Sequence, residues 1–332
     1  MNTRRKSLLF SLIIVFVAMS LFGSFANAAP IVLKAVTYHP KDHPNVNPWL
    51  KMMIERVNKD SKGELTINWL GGPEVIDTKD QTNALKTGAI DMHPYHSFGY
   101  MVPVMKEAYG AGLTQLAAWE ERKSGAFDLW DTMLQKRINA KYLGRMHTGP
   151  NLSFWMYTNF KVEKIEDFRG KIIRGMPLYV PWLKAMGAST VNTAAGEIYS
   201  AVERKAVDGF VYPMGMAGWG LHKITKYRIE PGVFTMEPAC VINLDTWKKI
   251  PKHLQDLLLE VIVDFEYISY AQHVVTAELE RETMLKAGMT IISLPSSEAK
   301  KFRDLAYNVT WETVIKDAPE FGPQLRELTT RK

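Results

Sequence analysis

The chain has 332 residues, with 41 Lys and Arg against 35 Asp and Glu, 8 histidines and 1 cysteine. A single cysteine excludes an intramolecular disulfide, so a packed core must hold the fold together. Three of the cations, Arg4, Arg5 and Lys6, sit in the first segment; the other 38 face 35 acidic side chains, a net of +3, and a nucleic-acid-binding reading loses its main support.

The first segment joins those cations to an apolar run from Leu8 to Leu21 and an Ala26-Asn27-Ala28 triplet. This is the pattern of a secretory signal peptide over 1–28, cleaved near Ala28-Ala29, and it predicts a periplasmic protein. The run is shorter than the roughly 20 apolar residues of a comfortable membrane span. No cysteine lies nearby to carry a lipid. The alternative is an uncleaved membrane anchor.

Strands and helices then alternate. Ile31 to Val36 is a short apolar strand, and Pro48 to Asn58 carries Leu50, Ile54 and Val57 at helical spacing. Leu65 to Trp69 alternates as a strand, Lys79 to Lys86 reads as a helix stopped by Gly88, and Ala89 to Met92 begins another strand. A second block starts near Gly149. It has strands at Lys171 to Arg174, Ser189 to Asn192 and Val207 to Tyr212, with helices at Tyr179 to Met186 and Glu197 to Lys205. Recurring βα units predict an α/β fold with mostly parallel sheets. Pro251 to Lys286 contains no Pro or Gly after its first residue and bears an apolar stripe of period 3.6. As one helix it would reach roughly 50 Å, far enough to span both blocks. The alternative is two helices with a kink.

Enzyme signatures are missing. There is no G-x-S-x-G, no phosphate-binding G-x-x-x-x-G-K-[ST], no H-E-x-x-H and no C-x-x-C. Cys240 sits in an apolar strand-like run and reads as a buried small hydrophobe. His39 and His43 are four apart, but Pro40 and Pro44 deny them a shared helical face. Asp91, His93 and His96 have the side chains of metal ligands; with Pro94 among them, they are expected to line a loop. A metal-dependent secreted enzyme built on those three is the alternative function. The favoured reading has no enzyme activity, no metal and no cofactor.

Four stretches carry a family pattern in order: "NKDSKGELTINWLGGPEV" with "QTNALKTGAIDM", "IEDFRGKIIRGMP", "MGASTVNTAAGEIYSAVERKAVDGF", and "KYRIEPGVF" followed by "VINLDTWKKIPKHLQDLLLE". Together they resemble the solute-binding proteins of tripartite ATP-independent periplasmic (TRAP) transporters, over nearly the whole exported chain. The resemblance implies two α/β domains around a ligand cleft, joined by crossover hinge strands and a long helix that spans both. The expected division is 29–150 plus about 240–278 for domain I, and 151–239 plus about 279–332 for domain II. It also implies capture of an organic acid, hinge closure, and delivery to the small and large integral membrane permease subunits. A ligand sensor for a membrane receptor is a further alternative on the same fold.

In this family the arginine of the second stretch, here Arg174, clamps the ligand carboxylate. Guanidinium is always charged and its paired N–H donors match a carboxylate. The alternative is a strand-end arginine paired with a nearby acid. Two departures from the family pattern stand out. The upstream position that often carries a second polar or basic group reads Ser153-Phe154-Trp155. The position after Asp208-Gly209 reads Phe210-Val211-Tyr212, where Val211 cannot hold a cation. Asp208-Gly209 itself reads as a structural turn. A less polar pocket is expected, with Phe154, Trp155, Tyr212 and Trp219 near the ligand, although each could be core. Tyr95 and His96 are expected to face the cleft from domain I. Glu74 lies in another cleft-facing loop and would suit a ligand amine or remain a solvated charge. The predicted ligand is a monocarboxylate with an apolar or aromatic body.

Overall fold

The computed structural model describes residues 29–331 apart from 44–46, 150–152 and 194; the expected signal segment 1–28 lies outside the described residues. The first part of the chain runs β1 (Ile31–Val36), α1 (Asn47–Asp60), β2 (Leu65–Gly71), α2 (Thr78–Thr87), β3 (Met92–Ser97), α3 (Ala118–Ser124), α4 (Ala126–Ile138) and β4 (Ala140–Arg145). It then crosses to β5 (Trp155–Thr158), β6 (Ile172–Arg174), α5 (Val180–Ala185), β7 (Ser189–Val191), α6 (Ile198–Glu203), β8 (Gly209–Tyr212) and β9 (Tyr227–Glu230). It returns through β10 (Pro238–Asn243), α7 (Leu244–Trp247) and α8 (Lys252–Lys286), and ends with β11 (Thr290–Ser293), α9 (Ser296–Asp317) and α10 (Gly322–Thr329).

Among the described residues these strands form two sheets, ordered β2-β1-β3-β10-β4 and β11-β9-β5-β8-β6-β7. The βα units give parallel pairs, β1 with β2 and β3, and β6 with β7 and β8. Each strand that follows a crossing runs antiparallel to its neighbours: β5 between β8 and β9, and β10 between β3 and β4. The two crossing segments touch at a bridge between Ser153 and Thr235, and Phe154 N–H donates to the Phe234 carbonyl at 2.7 Å. This is the two-domain α/β architecture with paired crossover strands.

Alternation explains the first sheet's core. Leu65, Ile67 and Trp69 of β2 are buried on one face and meet Leu33 of β1, Trp49 of α1 and Ile242 of β10. Helix α8 is a single 35-residue helix, so the kinked alternative is not the one adopted. Nothing inside it removes a backbone donor or inserts into its hydrogen-bond ladder. Its first half buries Leu254, Leu258, Val261, Ile262 and Phe265 in the first core. Its end buries Met284 with Trp155, Tyr157 and Phe210 of the second sheet. The helix therefore packs on both sheets. Helix α9 packs on helical segments instead: Trp311 closes on Gly110 of 106–113, where an added Cβ would lie 2.9 Å from the indole, while Phe302 packs on Trp182 of α5. No helix among the described residues is long and apolar enough to cross a membrane.

One local expectation is corrected. Pro94 does not end the strand into a loop; β3 runs through it, with His93 and His96 fully buried. Opposite that stretch the β10–β3 register shifts between Ala239 and Val241, and such an irregularity is where a strand interior tolerates a residue with no N–H.

Candidate ligand-binding site

A cavity of ≈ 350 Å³ lies between the sheets, lined by Tyr38, His39, Glu74, Tyr95, His147 and Glu237 from one side and by Phe154, Arg174, Tyr212 and Trp219 from the other. It opens at the carboxyl ends of the parallel strands β1, β6 and β8, the usual ligand crevice of an α/β sheet. The loops there are held close by glycine. A Cβ on Gly72 would sit 2.0 Å from the His39 carbonyl oxygen, so no other residue lets the β1 and β2 loops meet. Within the second sheet Gly209 opens β8 against β5, where a Cβ would fall 2.5 Å from the Tyr157 carbonyl oxygen, and Asp208 Oδ2 accepts from Ile172 N–H at 2.8 Å.

Arg174 ends β6 and is 2 % exposed. Its Nε and Nη2 both donate to the Thr193 carbonyl, at 3.1 and 2.5 Å. Among the described residues it forms no ion pair. The other deeply placed arginines do: Arg145 with Glu121 at 3.2 Å, Arg228 with Glu230 at 2.9 Å and Arg122 with Glu266 at 2.7 Å. Burial pulls the Arg174 pKa down, and only phenols, Tyr100 first, with Glu197 at longer range oppose it. A guanidinium keeps its charge through such a shift. A buried charge without an opposite partner costs several kcal/mol, so this side chain favours an incoming anion.

The remaining wall is aromatic and close to neutral. Tyr38 stacks on Tyr95 at 5.2 Å between centroids, and the Tyr95 hydroxyl meets His147 Nδ1 at 2.7 Å. Two imidazole pairs, His39 with His43 at 4.0 Å and His147 with His273 at 4.5 Å, flank them. Desolvation holds all four below the ordinary histidine range, His43 at about 4 and His273 at about 3, so they are uncharged at neutral pH. Among the described lining residues Arg174 is thus the one permanent cation. Glu74 is exposed at the mouth, and its Oε1 accepts from Gly72 N–H at 2.8 Å and Lys41 N–H at 3.4 Å. Glu237 is buried deeper, and desolvation pushes its carboxyl up to about 7.

Of the side chains singled out from the sequence, Arg174, Tyr212, Phe154, Tyr95, Glu74 and Trp219 line the cavity. Trp155 and His96 do not. Each follows a lining residue along an extended segment, and alternation turns it to the opposite face. Trp155 lies in the second core under the Arg228 guanidinium, 3.9 Å from the ring centroid. His96 stacks on His93 at 4.2 Å and bonds Thr82 Oγ1 through Nε2 at 2.9 Å. The proposed metal trio is likewise dispersed into other contacts. His93 sets Nδ1 against the Val36 carbonyl and Nε2 against that of Gln81, while Asp91 accepts from Lys34 N–H and Thr246 Oγ1. No group of three or more His, Cys, Asp or Glu among the described residues is arranged to hold a metal ion. Sequence reasoning missed Tyr38, Tyr100, His147, Glu237 and His273. Tyr38 was signalled by its place just past a parallel strand; His147, Glu237 and His273 come from a crossing segment and the middle of α8, and no local pattern marks them.

Two α/β halves, crossed twice by the chain and bridged by one helix over an aromatic cavity, define a two-domain solute-binding protein. The model of the bacterial extracellular solute-binding protein family 7 matches residues 35–317, and the chain belongs to that family, the solute-binding proteins of TRAP transporters. Among similar proteins is the monocarboxylate 2-oxoacid-binding periplasmic protein of Nostoc sp., 20% identical over 276 residues, 80% of this chain and 75% of that protein. A TRAP periplasmic solute-binding protein of Desulfovibrio salexigens, solved with orotic acid, superposes with a TM-score of 0.80 at 17% identity, over 90% of this chain and 97% of that one. One from Haemophilus influenzae, solved with L-gulonate, gives 0.76 at 20% identity, over 90% and 98%.

Proposed function

We propose that this protein is the periplasmic receptor of a TRAP transporter, exported by cleavage near Ala28-Ala29. It captures an organic acid in the cavity between its sheets and delivers it to the integral membrane permease subunits. Arg174 holds the ligand carboxylate, the crossing segments at Ser153 and Thr235 serve as the hinge, and the protein binds and releases without covalent chemistry. The observation that carries this reading is a buried guanidinium with no carboxylate partner among the described residues, facing a ligand-sized cavity.

The ligand is a monocarboxylate with an apolar or aromatic body. A second buried carboxylate would need a second cation, and the lining offers neutral imidazoles and phenols instead. Apolar surface placed against Tyr38, Phe154 and Trp219 would contribute about 25 cal/mol per Å². The named 2-oxoacid specificity of the Nostoc relative supports this class; the L-gulonate-bound neighbour shows that another member of the fold accepts a polyhydroxylated acid. A thermal-shift panel of succinate, sugar acids, branched 2-oxo acids and phenyl or indole carboxylates tests it. The branched and aromatic monocarboxylates should give the largest shifts and be recovered unchanged. Largest shifts from succinate or a sugar acid would overturn the ligand class, and turnover of any acid would overturn the receptor reading.

A further inference from the structure

The cavity holds a second buried charge-bearing group that the carboxylate site does not use. Glu237 lies on the crossing segment just before β10 of the first sheet, whereas Arg174 ends β6 of the second, and it is 2 % exposed. Its Oε1 accepts from Ser97 Oγ at 2.9 Å and its Oε2 from Phe98 N–H at 3.1 Å. Among the described residues it has no ion-pair partner, and Arg145 reaches it only at longer range. A carboxylate offers about four acceptor positions, and the protein fills two of them. With a ligand filling the cavity, the others need donors from that ligand, or the carboxylate must give up its charge. The phenols of Tyr38, Tyr95, Tyr100 and Tyr179 lie near enough to feel its charge, but the Tyr95 hydroxyl is engaged with His147, and Met176, Met236 and Pro238 beside it are apolar.

Resting on the reading of Arg174 as the carboxylate clamp, we propose that Glu237 sets specificity for acids that carry a hydrogen-bond donor, an ammonium, N–H or hydroxyl group, at the end remote from the clamped carboxylate. Arg174 and Glu237 then grip the two ends of one ligand from the two sheets, and the aromatic wall covers its middle. Closing the sheets completes both contacts together, so a donor-bearing acid stabilises the closed form more than its donor-free analogue. The upward shift of the Glu237 carboxyl fits this placement: an ammonium ligand would hold it ionised, and a donor-free acid would bind with proton uptake.

The test uses matched probes. Phenylacetate, 4-hydroxyphenylacetate and 4-(aminomethyl)phenylacetate share one ring and one carboxylate; hexanoate, 6-hydroxyhexanoate and 6-aminohexanoate share one chain. Calorimetric affinities should favour the donor-bearing members at least about tenfold in the unmodified protein, as expected for a hydrogen bond to a charged group. Glu237→Met should reverse that order. Glu237→Gln, which keeps the shape, should lose the preference for ammonium while retaining that for hydroxyl. Equal affinities within both series, or an order unchanged in Glu237→Met, would overturn the role of Glu237 and leave the clamp standing. If no acid in either series binds, the clamp itself is wrong, and this inference falls with it.

Discussion

Arg145 and Arg174 are the same residue, almost equally buried, in opposite halves of the molecule, and they are treated in opposite ways. Arg145, 0 % exposed at the end of β4, has Glu121 at 3.2 Å, donates to the Ala111 carbonyl, and packs its guanidinium over Phe98 and Trp130 at 5.0 and 5.1 Å. Its charge is answered within the fold. Arg174 has a carbonyl and a ring of phenols but no carboxylate within ion-pairing reach among the described residues. Burial alone therefore does not separate a structural cation from a binding one. What separates them is whether the fold supplies the counter-charge or leaves it to a ligand.

The largest expected effect breaks the answered pair. Arg145→Met should strand the buried Glu121 carboxylate and cost about 3–5 kcal/mol of stability, read from the denaturant midpoint. Adding Glu121→Leu should recover most of that loss, because no buried charge is then left over. A single variant as stable as the unmodified protein would remove Arg145 from the structural class.

The unanswered charge should behave in reverse. Arg174→Ala should weaken binding of the best carboxylate by about 3 kcal/mol or more, since a desolvated anion loses its strong partner. Ligand-free stability should hold or rise, because no buried carboxylate is stranded and an unpaired buried charge is removed. Arg174→Lys should recover only part of the affinity, as ammonium cannot reproduce the paired donors. Calorimetry and denaturation on the same samples decide it; a variant that unfolds as easily as Arg145→Met while binding normally would collapse the contrast.

The smallest effect sharpens the comparison through pH. Glu237 titrates at about 7 in the folded, empty protein against an ordinary 4.5, so the folded state holds a proton there that the unfolded chain has released. Its contribution to stability is fully present below about 4.5 and is lost as pH rises through about 7. His43, lowered from 6.5 to about 4, works the other way, its contribution being lost as pH falls from 6.5 toward 4. Urea denaturation from pH 4 to 8 should therefore show Glu237→Gln gaining stability relative to the unmodified protein as pH rises from 5 to 8. A difference that stays flat with pH would mean the carboxylate is not desolvated in the empty cavity.

Patterns of short range carried much of this protein in the sequence itself. The alternation of Leu65 to Trp69 and the apolar period of α8 depend on residues a few positions apart, and each appears as the pattern dictates; the turn expected at Asp208-Gly209 does not form, because Gly209 already opens β8 and Asp208 Oδ2 is held by Ile172 N–H of β6. Arg174 stands out as a permanent charge in an apolar run, but position alone favours a strand-end arginine, and only the family resemblance gives it a binding role. Which neighbour faces the cavity was not legible. Phe154 and Trp155, like Tyr95 and His96, are adjacent in the chain and chemically alike, and only the strand's orientation in its sheet sends one of each pair to the ligand side and the other to the core. Pro94 hid the run of β3 for the same reason: the register shift that accommodates it belongs to β10, about 145 residues away along the chain. Glu237, His147 and His273 join Arg174 only because two crossings and one long helix return distant segments to a single crevice. Sequence spacing sets what each element is, because backbone geometry is periodic over a few residues. Which elements meet is decided by burying their apolar faces together, and that choice exists only in the folded chain.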